Sequence, residues 1–323
     1  MKRASPIAIW AALLAVYLVW GSTYLGIRLA VATIPPFLMA ACRYLIAGGI
    51  LYALRRRLGD PPPSFREWRS AGLAGCLLLT LGNGAVAWAE QHVASGMAAL
   101  IVSSVPLWLV VCSWALPAFR NRGGTAGSRG TRGPGPLALA GVLGGLAGIV
   151  VLVGPGLTGL AAPIQPSALA VLLFGTITWA VGSLYSRDAI LPASPLMGTA
   201  AEMLAGGAGL LVLGTVSGQW NQLHIGQIST TSLLSLAYLV VFGSWVGFSA
   251  YVWLLRVAPT SLVATYAYVN PIVALFLGHL VAAEPVGYRT LLAAAIIIGS
   301  VMVTKLGTTA QDKPETGAEQ VGG

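Results

Sequence analysis

The chain of 323 residues is 56% hydrophobic and only 8% charged, with a mean hydropathy of +0.81 and 41 glycines. A water-soluble domain carries roughly a quarter charged residues, so this composition excludes one and describes a polytopic membrane protein. The net charge of +9 does not point to nucleic acid, because the basic residues stand in short clusters between apolar runs, where they orient a chain in a bilayer.

The first apolar run, Ile7 to Ile27, follows Lys2 and Arg3. It is longer than the apolar region of a secretory leader, and Arg28 interrupts the approach to the small triplet Ala30-Val31-Ala32, so it reads as a retained first helix. Further runs follow at 36–54, 71–89, 94–117, 136–154, 167–186, 195–216, 232–255, 260–281 and 287–306, each near the roughly 20 residues that cross a bilayer core. The expected fold class is all-α, a polytopic membrane protein of about ten transmembrane helices.

Threading ten helices back and forth places Lys2, Arg3, Arg55, Arg56, Arg57, Arg66, Arg69, Arg120, Arg122, Arg129, Arg132, Arg187, Arg256, Lys305 and Lys313 on one side, which predicts that both termini are cytoplasmic. Arg28 and Arg289, near helix ends, and Arg43, within the second helix, are the exceptions. The Gly/Arg-rich loop from Asn121 to Gly135 is expected to be flexible, and the polar segment 307–323 to be a disordered cytoplasmic tail. Cys42, Cys76 and Cys112 all fall inside spans without a Cys/His cluster, which argues against a disulfide framework and a metal site. None of the lysines stands in a Gly-Lys-Ser/Thr context, so no phosphate-cradling loop and no cofactor are implied.

A duplication organises the chain. Thr265-Tyr-Ala-Tyr-Val-Asn-Pro271 puts an asparagine and a proline inside the ninth run, and Ser103-Ser-Val-Pro106 does likewise in the fourth, with the prolines 165 residues apart. Trp88 and Ala99 fall opposite Trp253 and Ala264 at the same offset. Gly21-Ser22-Thr23-Tyr24 echoes Gly182-Ser183-Leu184-Tyr185, Ala47-Gly48-Gly49 echoes Ala205-Gly206-Gly207, and Gly148-Ile149-Val150 echoes Gly299-Ser300-Val301. Five helices per copy is an odd number, so the second copy enters the membrane from the opposite side, giving inverted five-helix repeats expected at 7–154 and 166–306. Pro271 cannot donate to the carbonyl of Ala267, and a freed carbonyl at membrane depth is tolerated only inside protein or beside a watery cavity. Pro106 and Pro271 are therefore expected hinges beside a path.

Several motifs together carry a family resemblance: Trp20-Gly-Ser-Thr-Tyr-Leu-Gly-Ile-Arg28, Arg43, Gly82-Asn-Gly-Ala, Glu90-Gln-His-Val-Ala-Ser-Gly96 and Tyr266-Ala-Tyr-Val-Asn-Pro271. On these the chain resembles the drug/metabolite transporter superfamily, its EamA domain family, and within it the YedA-like exporter branch. The resemblance covers nearly the whole chain apart from the loop at 121–135 and the tail. It implies a carrier in a bacterial inner membrane that exports amino acids, related metabolites or drug-like compounds through a cavity lined by both halves. The acid that commonly follows the last core helix of each repeat matches Glu284, whereas Phe119 stands at the first-half position.

The candidate substrate-cavity residues are Ser22, Thr23, Asn83 and Asn270 as polar contacts, and Tyr24, Trp88, Tyr185, Trp253, Tyr266 and Tyr268 as rings with a polar tip. Interfacial belts use the same aromatic residues, so both readings stay open for the rings. A charge within a span costs at least about 2.5 kcal/mol and usually faces a bundle interior or water. Arg43 is thus a candidate for a substrate carboxylate and Glu202 for proton exchange, the alternative for each being a tether between helices. Glu90 and His92 in the turn after the third helix, with Glu284, complete the charged coupling candidates; His279 reads as a packed, hydrogen-bonded histidine. Gly141, Gly144, Gly145 and Gly148 form small-xxx-small patterns that fit packing on the tenth helix or a dimer contact, leaving monomer and homodimer open. The function expected is secondary-active transport of a small-molecule substrate across a lipid bilayer, with the proton as a candidate coupling ion. A membrane sensor or scaffold would be expected to carry an added soluble domain. An intramembrane enzyme would need a His-Glu-x-x-His pair, paired aspartates or a Gly-x-Ser-x-Gly elbow, and none occurs.

Overall fold

The structure, a computed structural model, describes residues 5–116, 135–157, 165–258, 260–263 and 265–311. Among them there is no strand. Ten long helical segments follow one another among the described residues: α1 (Pro6–Ala30), α2 (Pro36–Arg57), α3 (Phe65–Gly75, Cys76–Asn83 and Gly84–Ala89), α4 (Ser95–Val102 and Val105–Ala115), α5 (Pro136–Leu157), α6 (Pro166–Asp188), α7 (Pro195–Val216), α8 (Thr230–Tyr238, Leu239–Val246 and Gly247–Val257), α9 (Thr260–Val263 and Tyr266–Ala282) and α10 (Tyr288–Gln311). Proline is the first residue of α1, α2, α5, α6 and α7, where its fixed φ suits the first turn and its missing N–H would have had no partner. The start of α3 lies six residues before its apolar run, because Ser64 and Glu67 form a reciprocal capping box (Ser64 N–H to Glu67 Oε2, 2.6 Å; Glu67 N–H to Ser64 Oγ, 3.3 Å).

Contacts between helices reproduce the duplication. Exchanging each helix for the one five places on maps α2 against α7, α5 against α10 and α4 against α9 onto themselves. The same exchange turns α1 against α9 into α6 against α4, α1 against α8 into α6 against α3, and α7 against α3 into α2 against α8. With five helices per repeat, this is the inverted-repeat membrane fold expected from the sequence. Local irregularities are repeated too: α3 and α8 each contain an eight-residue π-helical stretch, Cys76–Asn83 and Leu239–Val246. Such wide turns shift the helix register and are common at functional sites.

Small residues set how closely the helices meet. A Cβ on Gly148 would come 2.7 Å from Ile297, one on Gly144 would come 2.7 Å from the Ser300 hydroxyl, and Gly141 backs onto Thr304, so this glycine face packs on α10 within the chain. Gly145 faces Leu107 of α4 instead. Gly206 of α7 lies against α3, where an added Cβ would be 2.7 Å from the Gly75 carbonyl oxygen.

Two details depart from the sequence reading. Thr265 is in a turn just before the main piece of α9, and Pro271 sits inside the continuous helix Tyr266–Ala282 rather than at a break. In α4 the interruption is at Ser103 and Ser104, whose hydroxyls donate to the Leu100 and Ile101 carbonyls at 2.7 and 2.6 Å; the Thr265 hydroxyl serves the Leu262 carbonyl in the same way at 2.5 Å. The second departure is at the end of the chain, where α10 continues to Gln311, five residues into the expected tail. Gly307 permits this, since its bare α-carbon passes against the backbone at Leu137 and Ala138 of α5. Phe119 and most of the Asn121 to Gly135 loop, like residues 312–323, lie outside the described residues.

Candidate functional site

A cavity of about 470 Å³ lies between the repeats. Residues of the matched motifs meet in it: Thr23 and Tyr24 of α1, Asn83 at the end of the α3 π segment, Pro106 beyond the α4 break, and Tyr266, Tyr268, Asn270 and Pro271 of α9. Ala267, whose carbonyl Pro271 leaves without its helical donor, lines the same space. Six of the ten expected cavity residues and both prolines are therefore brought together.

The other four are placed elsewhere. Ser22 is next to Thr23 but turned toward α8, where its hydroxyl bonds the Tyr238 hydroxyl at 2.5 Å and donates to the Val19 carbonyl at 2.9 Å. Trp88 packs on the hydrophobic core with its ring 4.7 Å from His92. Tyr185 packs beside Cys112 and Leu184. Trp253 is 37% exposed on the outside of the bundle, the position of a membrane-facing anchor.

Arg43 is the buried charge at this cavity, only 4% exposed. Its Nε donates to Ser244 Oγ at 3.1 Å, and its guanidinium lies 4.9 Å from the Tyr44 ring centre. The π segment of α8 supplies both Ser244 and Gly243; a Cβ on Gly243 would come 2.9 Å from Arg43 Nη2, so the glycine makes room for the guanidinium. Lys305 of α10 is a second cation at the wall, 5.8 Å from the Tyr268 ring centre. It reads from sequence as an orientation charge, and the packing of α10 beside the cavity brings it to the wall. Among the described residues no Asp or Glu lines the cavity.

Aromatic residues close one side. Trp20 packs edge-on against Phe248 and Tyr266, with ring centres 5.3 and 5.2 Å away, and lies 5.1 Å from Tyr251. Its Nε1 donates to the Gly243 carbonyl at 3.3 Å, which anchors α1 to the π segment of α8. Asn270 is 7% exposed, and with its amide nitrogen toward α1 it donates to the carbonyls of Tyr17 at 3.3 Å and Tyr266 at 3.1 Å. It thus joins α9 to α1 as well as facing the cavity. Sequence reasoning missed Trp20, Tyr44, Trp179, Phe248 and Lys305 as lining residues. Of these, Trp20 had a signal, since it opens the Gly-Ser-Thr-Tyr motif.

A second polar cluster lies at the end of the bundle where α1 finishes. Glu284, 6% exposed, accepts from Ser95 N–H at 2.8 Å, Ser95 Oγ at 3.0 Å and Gly96 N–H at 3.1 Å, capping α4 of the first repeat with a residue of the second. Arg28 Nε pairs with it at 3.2 Å, while Arg28 Nη1 donates to the carbonyls of Glu90 and Val93 at 3.1 and 2.5 Å. The chain delivers Glu284 by a left-handed turn at Ala283 (φ 51°), closed by a bond from the Glu284 N–H to the Gly278 carbonyl at 3.0 Å. His279 Nδ1 lies 2.9 Å from the Glu284 carbonyl, in keeping with its reading as a packed histidine. Glu90 and Glu284 therefore belong to one cluster, while His92 is exposed beside Trp88. Glu202 lies partly buried on α7 where that helix meets α3, away from the cavity lining. Among the described residues no group of His, Cys, Asp and Glu has the arrangement of a metal site.

Helices crossing a membrane as inverted repeats around a polar, ring-lined cavity define the carrier class of membrane proteins. The chain belongs to the EamA-like transporter family, whose sequence profile matches residues 6–119 and 166–306. It is 36% identical to the uncharacterized inner membrane transporter YedA of Escherichia coli (strain K12), across 95% of this chain and 94% of that one. Likeness extends to a WAT1-related chloroplastic protein of Arabidopsis thaliana (24% identity; 90% of this chain, 67% of that one) and to the uncharacterized transporter YvbV of Bacillus subtilis (strain 168) (22%; 96% of each). A solved crystal structure superposes with a TM-score of 0.61 at 20% identity over 96% of this chain and 100% of that chain, a likeness of fold.

Proposed function

We propose that this protein is a secondary-active exporter of small amphipathic organic molecules (amino acids, related metabolites or drug-like compounds), working by alternating access in a bacterial inner membrane with both termini cytoplasmic. The carrying observation is the cavity itself: it lies between the repeats, takes walls from both, and combines apolar and aromatic area with Arg43, Asn83, Asn270 and tyrosine hydroxyls. Rocking of one repeat against the other around such a site moves a solute without any phosphate-cradling loop. The buried Arg43 favours substrates bearing a carboxylate or another anionic group, because a guanidinium in a low-dielectric wall gains most from a charged acceptor.

The test has two parts. Metabolite profiles of medium from cells overproducing the protein and cells lacking it should identify a solute that accumulates outside, and purified protein in proteoliposomes should then carry out counterflow of that solute. No accumulation and no counterflow of any candidate would leave a sensor or scaffold as the better reading. Reporter fusions after Arg57, Gly130 and the C-terminus should give cytoplasmic signals and one near Asn221 an external signal; a cytoplasmic signal at Asn221 would refute the orientation.

A further inference from the structure

Glu90 ends α3, in the turn before α4, and is only 1% exposed. Neither of its carboxylate oxygens has a hydrogen-bond partner among the described residues, although its backbone carbonyl is held by Arg28. The other carboxylate of this cluster is saturated: Glu284 receives three hydrogen bonds and the Arg28 ion pair. A buried, unpartnered carboxylate is costly when ionised and far cheaper when it carries a proton.

The surroundings of Glu90 connect the cavity to this cluster. Charged and titratable groups reach its field from α1 (Arg28 and Tyr24), from α2 (Arg43) and from the turn after α9 (Glu284). His92 follows in the same turn with its ring on Trp88, and His279 stands behind Glu284. Tyr24 and Arg43 line the cavity, whereas Arg28 and Glu284 tie the second repeat to the start of α4. Burial, reinforced by the charge of Glu284, pushes the Glu90 carboxyl well above the usual carboxylate range, and the opposing pull of Arg28 and Arg43 is weaker.

We propose that Glu90 is the coupling-proton site of the transporter, and that its protonation holds shut the outer latch formed by Arg28, Glu284 and Ser95. The proposal rests on the transport reading and assigns its coupling ion. With the proton bound, Glu90 is neutral and Arg28 is left to Glu284. In the releasing step the Glu90 O–H bond breaks, the electron pair stays on the carboxylate, and the proton passes to water in the cavity by way of the Tyr24 side. The new negative charge then repels Glu284 and competes for Arg28, which weakens the connection between repeats at the outer end. A proton taken up from outside restores the neutral acid and the latch. Proton entry is thereby exchanged for solute exit, and Glu202, away from the cavity and this cluster, is not needed for the cycle.

Glu90→Gln keeps the volume and the neutral form but cannot release a proton. Reconstituted E90Q is expected to bind the exported solute as the wild type does, while the several-fold stimulation of its efflux by an imposed inward proton gradient falls to a ratio near one. Wild-type stimulation in E90Q would overturn the proposal, as would loss of solute binding in step with flux. If E90Q does not fold, Glu90→Asp keeps the acid and is expected to shift the midpoint of the pH–flux profile; an unmoved midpoint would count against Glu90. An independent readout uses the wild-type protein and dicyclohexylcarbodiimide, which modifies protonated carboxyls in apolar sites. Peptide mass mapping should find the label on Glu90 at neutral pH and lose it at alkaline pH; label on Glu202 alone would overturn the assignment. The labelling needs no flux, so failure of the transport reading and failure of the Glu90 site give different results.

Discussion

Replacing Glu284 by alanine tests whether the Arg28–Glu284–Ser95 cluster holds the two repeats together. The change deletes three hydrogen bonds to the start of α4 and the partner of Arg28. Loss of a helix cap costs about 1 kcal/mol, and stranding one member of a buried ion pair costs about 3–5 kcal/mol. The Arg28 side chain is 36% exposed, so water takes over part of its solvation and the second figure must be reduced. E284A is therefore expected to destabilise by about 3 kcal/mol. E284Q keeps the shape and one acceptor oxygen and should lose about 1–2 kcal/mol. Equilibrium unfolding in detergent micelles, followed by tryptophan fluorescence, measures both, and a cycle with Arg28→Gln should return a coupling energy of about 1 kcal/mol between the charged partners. An E284A variant within about 0.5 kcal/mol of wild type would refute the latch as a stabilising connection.

Ala283→Gly should stabilise by about 1 kcal/mol in the same assay, because Ala283 is exposed and adopts a left-handed φ of 51° that glycine takes without its Cβ penalty; no gain would mean that the turn is not strained. Pro271→Ala restores a backbone donor beside the cavity and should preserve or raise the melting temperature while lowering flux in proteoliposomes, and Pro106→Ala, in the first turn of its helix, should lower flux in the same way; wild-type flux in both would reduce the prolines to packing residues. Asn270→Leu should weaken substrate binding and also lower stability by about 1 kcal/mol, since it removes the side-chain amide bonds that join α9 to the Tyr17 carbonyl of α1; binding at wild-type affinity would remove Asn270 from the site. Just beyond the end of α2, hydrogen bonds from Arg55, with a contribution from Ser194, hold the Asp60 carboxyl below its ordinary range. Its folded pKa being lower than its unfolded one, the stabilisation is present above the unfolded value and is lost as the pH falls through the folded value. Melting temperatures below about pH 4 should therefore fall less steeply for D60N than for wild type, and parallel curves would contradict this.

Sequence alone determined where the chain crosses the membrane. Runs of apolar residues near bilayer length, bounded by prolines that suit a first helical turn, leave little freedom, and α7 begins at Pro195 and ends at Val216 as its run does. The duplication was legible as well, because an odd number of helices per copy dictates inversion whatever the side chains do. Which residues face the cavity was decided by tertiary structure. Thr23 lines it, while Ser22, rotated about 100° around α1, bonds α8. In a soluble helix the polar stripe marks the exposed face and so reveals the buried one. Here the lipid-facing and protein-facing sides are equally apolar, so the spacing of hydrophobic residues carries no phase. Glu284 meeting Ser95 across 189 residues, and Lys305 reaching the cavity from α10, follow only from how two inverted copies are packed against each other.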